Sequence, residues 1–510
     1  MERVVNIIQY LERSAAAHPD RPALEELGRT LSYRETQTVS QCIGAAVLRA
    51  LDGQIRRQIG VFLPKGIDAV CADYGALYAG SYFLNIDIKA PQQRNSNILA
   101  RLKPPLILTS RRLEAQLQEI ASGATLVFLE EIDTGCIPAP ESLPWPQITD
   151  ADPFCVITTS GSTGTPKGVV LPHRGYIDHL TDKLNAMSLH RSVRLASIAP
   201  TDFDFFVYEI TMILVNASTM VLMPDSYLMF PLKLVRYLCE SKVDYLMWVA
   251  SYMVTIAQYD LFSKFAPVCL RDVWFGGEVF PTKYLNYWRR HLPGARFVHC
   301  YGPTEASFAC TYKIIGREYP DEEQLPIGKP FQNTRILVLD EQNRPVGAGG
   351  EGELCVLGSR LALGYYNDPE KTALAFTQNP TNSTYPEPMY RTGDIVKVLD
   401  DGDLLFRGRA DTLIKHLGYR IELGEVEHVI NALGIVYYAC AAYNRDLQEI
   451  TLFYEAEREL TVAEMRAKIG TALPKYMIPT AFVYMERLPR NTNDKIDRVA
   501  LKGLLVKTRP

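Results

Sequence analysis

Between residues 158 and 170 the chain reads TTSGSTGTPKGVV, directly after the apolar run FCVI. Six Ser/Thr hydroxyls and two glycines precede the single cation Lys167. A strand that delivers such a segment presents backbone N–H groups, hydroxyls and one ammonium to a polyphosphate. The segment is not a P-loop, because Pro166 precedes the lysine and Gly168 follows it. A plain surface turn is the competing reading, but turns seldom join this hydroxyl density to a strand entry and a lysine. Two other residues look ordinary in isolation. Asp394, after Gly393, could be a turn acid, and Lys495 in LPRNTNDKIDR could be a solvated surface charge.

The elements around these residues set the fold class. Up to about Pro330, short β-rich apolar runs (RRQIGVFL, PLILTS, FCVITTS, DYLMWVA) alternate with helical stretches such as DAVCADYGALYAG and LKLVRYLCES. That alternation predicts an α/β fold with largely parallel sheets. From 328 to 408 the pattern becomes strands separated by turns, TRILVLDEQNRPV, GEGELCVLG and DIVKVLDDGDLLFRGR, which predicts a β-rich subdomain. Beyond it come a helix at ELGEVEHVINAL, strands at VYYACAAYN and EITLFYEAE, and a helix opened by Thr461 with Glu464 three residues on, a capping box. The expected division is a large unit, 1–408, and a small mobile α+β unit, 409–510.

Composition narrows the function classes. The 510 residues are 47% hydrophobic, enough for a large core, and 54 basic against 58 acidic side chains leave a formal charge of -4. Nothing in that balance recommends a nucleic-acid partner. The ten cysteines are scattered without a CxxC pair or zinc spacing, which fits a reducing compartment. The longest uncharged stretches, such as 429–444 and 210–224, fall short of the roughly 20 residues that span a bilayer. A cytoplasmic chain without membrane insertion is expected.

Nine motifs stand in order: LSYRET at 31, LYAGSYFLNID at 77, the hydroxyl-rich loop at 158, FGGE at 275, YGPTEAS at 301, GELCVLG at 352, YRTGD at 390, GRADTLIKHLGYRIELGEVE at 408 and NDKIDR at 493. With them the chain resembles the adenylate-forming superfamily of acyl-CoA synthetases, luciferases and nonribosomal peptide adenylation domains. The resemblance implies that ATP and Mg2+ are used in attack by a carboxylate on the α-phosphorus, so that catalysis is mostly charge neutralisation and in-line positioning. It implies a pyrophosphate cradle of Thr158, Ser160, Gly161, Ser162, Thr163 and Lys167, Thr159 as a catalytic residue beside Lys167, and Glu305 as the Mg2+ ligand. Tyr301 stacks on adenine in this reading. Asp394 accepts the ribose hydroxyls, Arg409 supports ribose or phosphate, and Gly276, Gly277, Glu278, Gly302 and Thr304 complete the nucleotide side. Lys495 enters during adenylation, although Asp494 stands where the family has glycine. Asp411 is the implied hinge, and Lys415 and Gly418 belong to a second face that meets a pantetheine thiol.

The subfamily rests on APTDFDFFVYEI. Members that activate amino acids carry an aspartate matching Asp204, which pairs with the substrate ammonium, whereas an acyl or aryl acid would leave that carboxylate uncompensated. The plainer alternative is a helix-cap or turn aspartate. The family's pocket positions fall on Asp204, Phe205, Tyr208, Met247, Trp274, Gly276, Cys300, Phe308, Ala309 and Lys495. Aromatics fill much of that volume, so a small amino acid (alanine, glycine, serine or a short β-amino acid) is expected. With no LGGxS-type serine after Lys495, a phosphopantetheinylated carrier protein is expected in trans. Stand-alone loaders of natural-product pathways and D-alanine:carrier-protein ligases of teichoic acid modification both fit. An acyl- or aryl-CoA synthetase and an idle binding protein are the other readings.

Overall fold

A computed structural model describes residues 4–121, 123–135, 143–144, 147–159, 166–185, 188–409, 413–490 and 496–505. Two large sheets form the body. The first orders its strands Gly364–Tyr365, Lys167–Pro172, Pro153–Thr159, Tyr82–Asn85, Gln58–Val61, Leu106–Thr109 and Thr125–Phe128. The five strands from Pro153–Thr159 onward run parallel, and the first two are antiparallel additions. The second sheet has nine strands, with a parallel centre through Arg296–Tyr301, Asp272–Gly276, Tyr245–Val249, Arg194–Ser197 and Thr219–Leu222. Its strands Tyr245–Val249 and Asp272–Gly276 are buried at every position, as expected of parallel strands covered on both faces.

The predicted alternation and the change to an all-antiparallel sheet are both present. Strands Thr334–Leu339, Glu351–Gly358, Pro388–Val398, Phe376–Gln378 and Leu404–Arg409 form that third sheet. From residue 413 onward the strands pair with one another and with none that precede them among the described residues. They form the hairpin of Leu413–His416 with Tyr419–Glu422, and the sheet of Tyr438–Asn444, Glu449–Glu455 and Ala481–Tyr484. Helices Leu423–Ala432 and Val462–Ile469 cover them over a separate core that includes Val426, Ile430, Leu452 and Met465. The overall architecture is α/β with a small α+β unit at the C-terminal end.

Local chemistry explains several motifs as structural. In LSYRET, Ser32 caps helix Tyr33–Ala50 by accepting from the Glu35 N–H, while the Glu35 carboxylate accepts from the Ser32 N–H. Such a capping box is worth about 1 kcal/mol. The Tyr33 hydroxyl donates to buried carbonyls of Ile213 and Ser218, tying that helix to the second sheet. Thr461 and Glu464 form the second capping box, as the sequence predicts. No helix among the described residues is long and apolar enough to cross a membrane.

Candidate active site

Strand ends converge on one cavity. Helix Asp204–Met212 is buried along its whole length and brings Asp204 to the cavity wall in its first turn, where the N-terminal dipole favours a carboxylate. The Asp204 Oδ2 accepts from the Thr304 hydroxyl at 2.7 Å. Burial pushes its carboxyl up to about 6, partly offset by that hydrogen bond and by the Lys415 ammonium. Gly276 ends strand Asp272–Gly276 at the same wall, where a Cβ would lie 2.4 Å from the Cys300 carbonyl oxygen. Opposite it stands Phe308, held at φ 85 in the left-handed region. A backbone like this in a large side chain costs on the order of 1 to 3 kcal/mol and concentrates at functional sites.

Seven of the expected amino-acid positions line this cavity: Asp204, Phe205, Met247, Gly276, Cys300, Phe308 and Ala309. Tyr208 and Trp274 stand behind it, with the Tyr208 ring stacked on Phe308 at 4.7 Å. From the nucleotide set, Gly277, Tyr301, Gly302, Thr304, Asp394 and Arg409 line the same space, and Thr158 and Thr159 line an adjoining one with Thr304. Asp394 holds two partners, the Tyr301 hydroxyl on Oδ2 and the Arg409 guanidinium on Oδ1 at 2.5 Å. Ser160, Gly161, Ser162, Thr163, Asp411 and Lys495 lie outside the described residues.

Glu305 is the electrostatic centre. Its carboxylate is fully buried and accepts from the Tyr365 hydroxyl at 2.7 Å and from Arg420 at 2.5 Å, with the Lys167 ammonium 3.6 Å away. Burial would raise this carboxyl, but Arg420 first and Lys167 second outweigh it and hold it at about 2. The Lys167 Nζ also donates to Tyr365 at 3.2 Å, and burial lowers its pKa. Among the described residues the buried Thr159 hydroxyl has no partner. An ionised carboxylate and an orphaned hydroxyl are hard oxygen donors that suit Mg2+.

Arg420 and Tyr365 went unnoticed in the sequence. Arg420 sits within GYRIELGE and Tyr365 within LGYYND, and only the fold brings them to Glu305. Arg420 arrives on the hairpin after residue 413, which also delivers Lys415 and Gly418. The Lys415 ammonium lies 4.7 Å above the Tyr301 ring. The Gly418 N–H donates at 2.7 Å to Glu278, whose other oxygen accepts from the Ser251 N–H. Gly418 has φ +83, and a Cβ there would lie 2.6 Å from Val249. In this arrangement the C-terminal hairpin closes the site, leaving a space of about 40 Å³ between the pocket walls. A second cavity of about 460 Å³ adjoins it through Gly277, Cys300, Tyr301, Arg409 and Lys415, and runs out between Phe280, Arg407, Tyr443 and Arg445.

Known proteins share the sequence pattern and the fold. Tyrocidine synthase 1 of Brevibacillus parabrevis is 32% identical over 500 residues, covering 97% of this chain and 45% of that protein. The chain thus spans less than half the length of the curated relatives it matches. The crystal structure of IdnL1 superposes with a TM-score of 0.79 at 27% identity, over 96% of this chain and all of that one. The fold is shared with NpsA–ThdA, an artificially fused adenylation–PCP didomain from Klebsiella oxytoca, at a TM-score of 0.82 and 20% identity over 94% of each chain. Residues 11–366, well over half of the sequence, match the family described as AMP-binding enzyme, and the chain belongs to that family.

Proposed function

We propose that this chain activates an amino acid with ATP as its aminoacyl adenylate, releasing pyrophosphate, and then passes the acyl group to the phosphopantetheine thiol of a separate carrier protein. The observation that carries the reading is Asp204, a buried carboxylate in the wall of a cavity that also holds Tyr301, Asp394 and Arg409. A buried acid with one hydroxyl partner is poised to pair with a substrate ammonium, and it would be costly against an apolar acid. The substrate carboxylate then faces the nucleotide side. Thr158, Thr159 and Lys167, with residues 160–163, hold the departing pyrophosphate, and Lys495 adds a cation where charge develops. Asp394 can turn from Tyr301 and Arg409 to ribose hydroxyls. Mg2+, held by Glu305 and Thr159, would neutralise phosphate charge.

The small unit serves both steps. We take the hairpin that carries Lys415, Gly418 and Arg420 as the face for thioester formation, and the adjoining cavity as the thiol's path. Rotation about Asp411 brings Lys495 for adenylation and removes Arg420 from Glu305. Phe205 and Phe308, backed by Tyr208 and Trp274, favour a compact side chain. Adenylation–carrier fusions among the structural neighbours support a carrier partner.

The test is ATP/pyrophosphate exchange across glycine, alanine, serine, β-alanine, leucine and phenylalanine, with propionate and benzoate, followed by loading of a holo carrier protein. Exchange requiring an amino acid is expected. Preference for propionate or benzoate would overturn the amino-acid reading in favour of an acyl- or aryl-CoA synthetase. Preference for phenylalanine would overturn the compact pocket.

A further inference from the structure

Lys183 lies in the last turn of helix His173–Asn185 and is 1% exposed. Its Nζ rests on the face of Trp274 and lies 5.2 Å from the centre of the Tyr208 ring. Among the described residues its ammonium makes no ion pair and no hydrogen bond. The nearby acids are committed elsewhere: Asp272 to Arg191 and Arg296, and Asp182 to Arg360. Cation–π attraction recovers only part of what an ammonium loses on leaving water. Burial accordingly holds the Lys183 pKa well below its ordinary value. Beside it the Trp274 Nε1 is also buried without an acceptor. Two donors therefore converge behind the cavity, and the described residues supply neither with a partner.

Their depth can be measured along two elements. Tyr208 lies one turn, about 6 Å, beyond Asp204 on their common helix. Trp274 lies two residues, about 7 Å, before Gly276 on the same face of its strand. Tyr208 and Trp274 thus stand beyond Asp204 and Gly276 on their elements, and the Lys183 ammonium packs against both rings. Met247, Cys300 and Phe308 line the cavity, and the Phe308 ring stacks on Tyr208.

We propose that Lys183 is a specificity-determining residue and that the amino acid activated here carries a side-chain carboxylate, of the aspartate or glutamate class. The proposal rests on the amino-acid reading above and narrows it. Asp204 takes the α-ammonium, and Lys183 with the Trp274 N–H takes the distal carboxylate, whose charge favours the ammonium form that burial alone disfavours, so the two ends of the occupied pocket carry opposite charge. An aspartate-sized side chain also satisfies the crowding by Phe205, Tyr208 and Phe308.

The experiment compares pyrophosphate exchange with aspartate, glutamate, asparagine, glutamine, alanine and glycine in the wild type, Lys183→Met and Lys183→Gln. The readout is the ratio of kcat/KM for each acid over its amide, which does not depend on the fraction of folded enzyme. The wild type should favour an acid over its amide by 100-fold or more, and both variants should lower that ratio at least 100-fold. For a variant with little turnover, calorimetric binding of aspartyl and alanyl sulfamoyl adenosine gives the same comparison. Wild-type preference for alanine or glycine over both acids, or an acid/amide ratio unchanged in both variants, would overturn the proposal while leaving the amino-acid reading intact. Exchange with propionate or benzoate and with no amino acid would overturn both.

Discussion

At Asp204 the functional demand and the stability demand oppose each other. Its carboxyl is raised to about 6 by burial, with Thr304 and Lys415 pulling it down and the Glu305 charge pushing it up. An ammonium pairs only with the ionised form. The KM for the amino acid should therefore rise about tenfold per pH unit below about 6 and level off above it. Glu305, held at about 2, stays ionised through this window and adds no bend. Asp204→Asn should raise KM at every pH and abolish the bend, and a bend that persists in the variant would assign it to another group. The raised pKa also makes a stability prediction. An acid whose pKa is higher in the folded than in the unfolded chain destabilises the protein once both states are ionised, by about 1.4 kcal/mol for each pH unit separating the two values. Asp204→Asn should therefore stabilise the protein by on the order of 2 to 3 kcal/mol above pH 6. The gain should shrink as pH falls and vanish below about pH 4, which urea denaturation at several pH values would measure. Asp204 was legible in the sequence because FDFFVYE is a local pattern. Arg420 and Tyr365 were not, because an arginine and a tyrosine on short strands carry no mark of a partner 115 and 60 residues away.

The hairpin from Leu413 to Glu422 is the element on which the proposed second step depends. Its turn places Gly418 at φ +83 against Val249, close enough for its N–H to reach Glu278. Gly418→Ala would add both a left-handed side chain and a Cβ in contact with Val249, so the hairpin could not seat as it does here. Carrier loading should fall tenfold or more while pyrophosphate exchange changes less than threefold. Equal losses in both would show that the hairpin serves a single step. The strands of this hairpin and the antiparallel sheet before it were legible from turn signals such as DDGD and from apolar alternation. How that hairpin docks was not, because docking is set by contacts with Val249, Glu278 and Glu305, far off in the chain. Phe308 is a similar case. Its φ of 85 is imposed by the packing around it and leaves no trace in residue type.

For the whole molecule, what matters is how firmly the C-terminal unit is held over the site. Besides the Arg420–Glu305 pair, a buried ion pair crosses the junction: Arg94 on helix Gln92–Leu102 donates at 2.8 Å to Glu425 on helix Leu423–Ala432. Both side chains are nearly inaccessible. Removing one partner of such a pair leaves an uncompensated charge, at a cost of about 3 to 5 kcal/mol. That cost falls on the docked arrangement alone if Glu425 reaches water when the unit turns. Arg94→Met should thus shift the population away from the arrangement seen here, lowering carrier loading at least tenfold and leaving pyrophosphate exchange equal to or faster than wild type. Fluorescence transfer between labels at exposed Asp20 and Glu457 should broaden toward other distances. Adding Glu425→Leu to Arg94→Met removes the buried carboxylate that has lost its Arg94 partner and should restore both the narrow distance distribution and most of the loading. If Arg94→Met slowed both steps alike with an unchanged distance distribution, the pair would be a fixed structural contact and the C-terminal unit would not exchange positions during turnover.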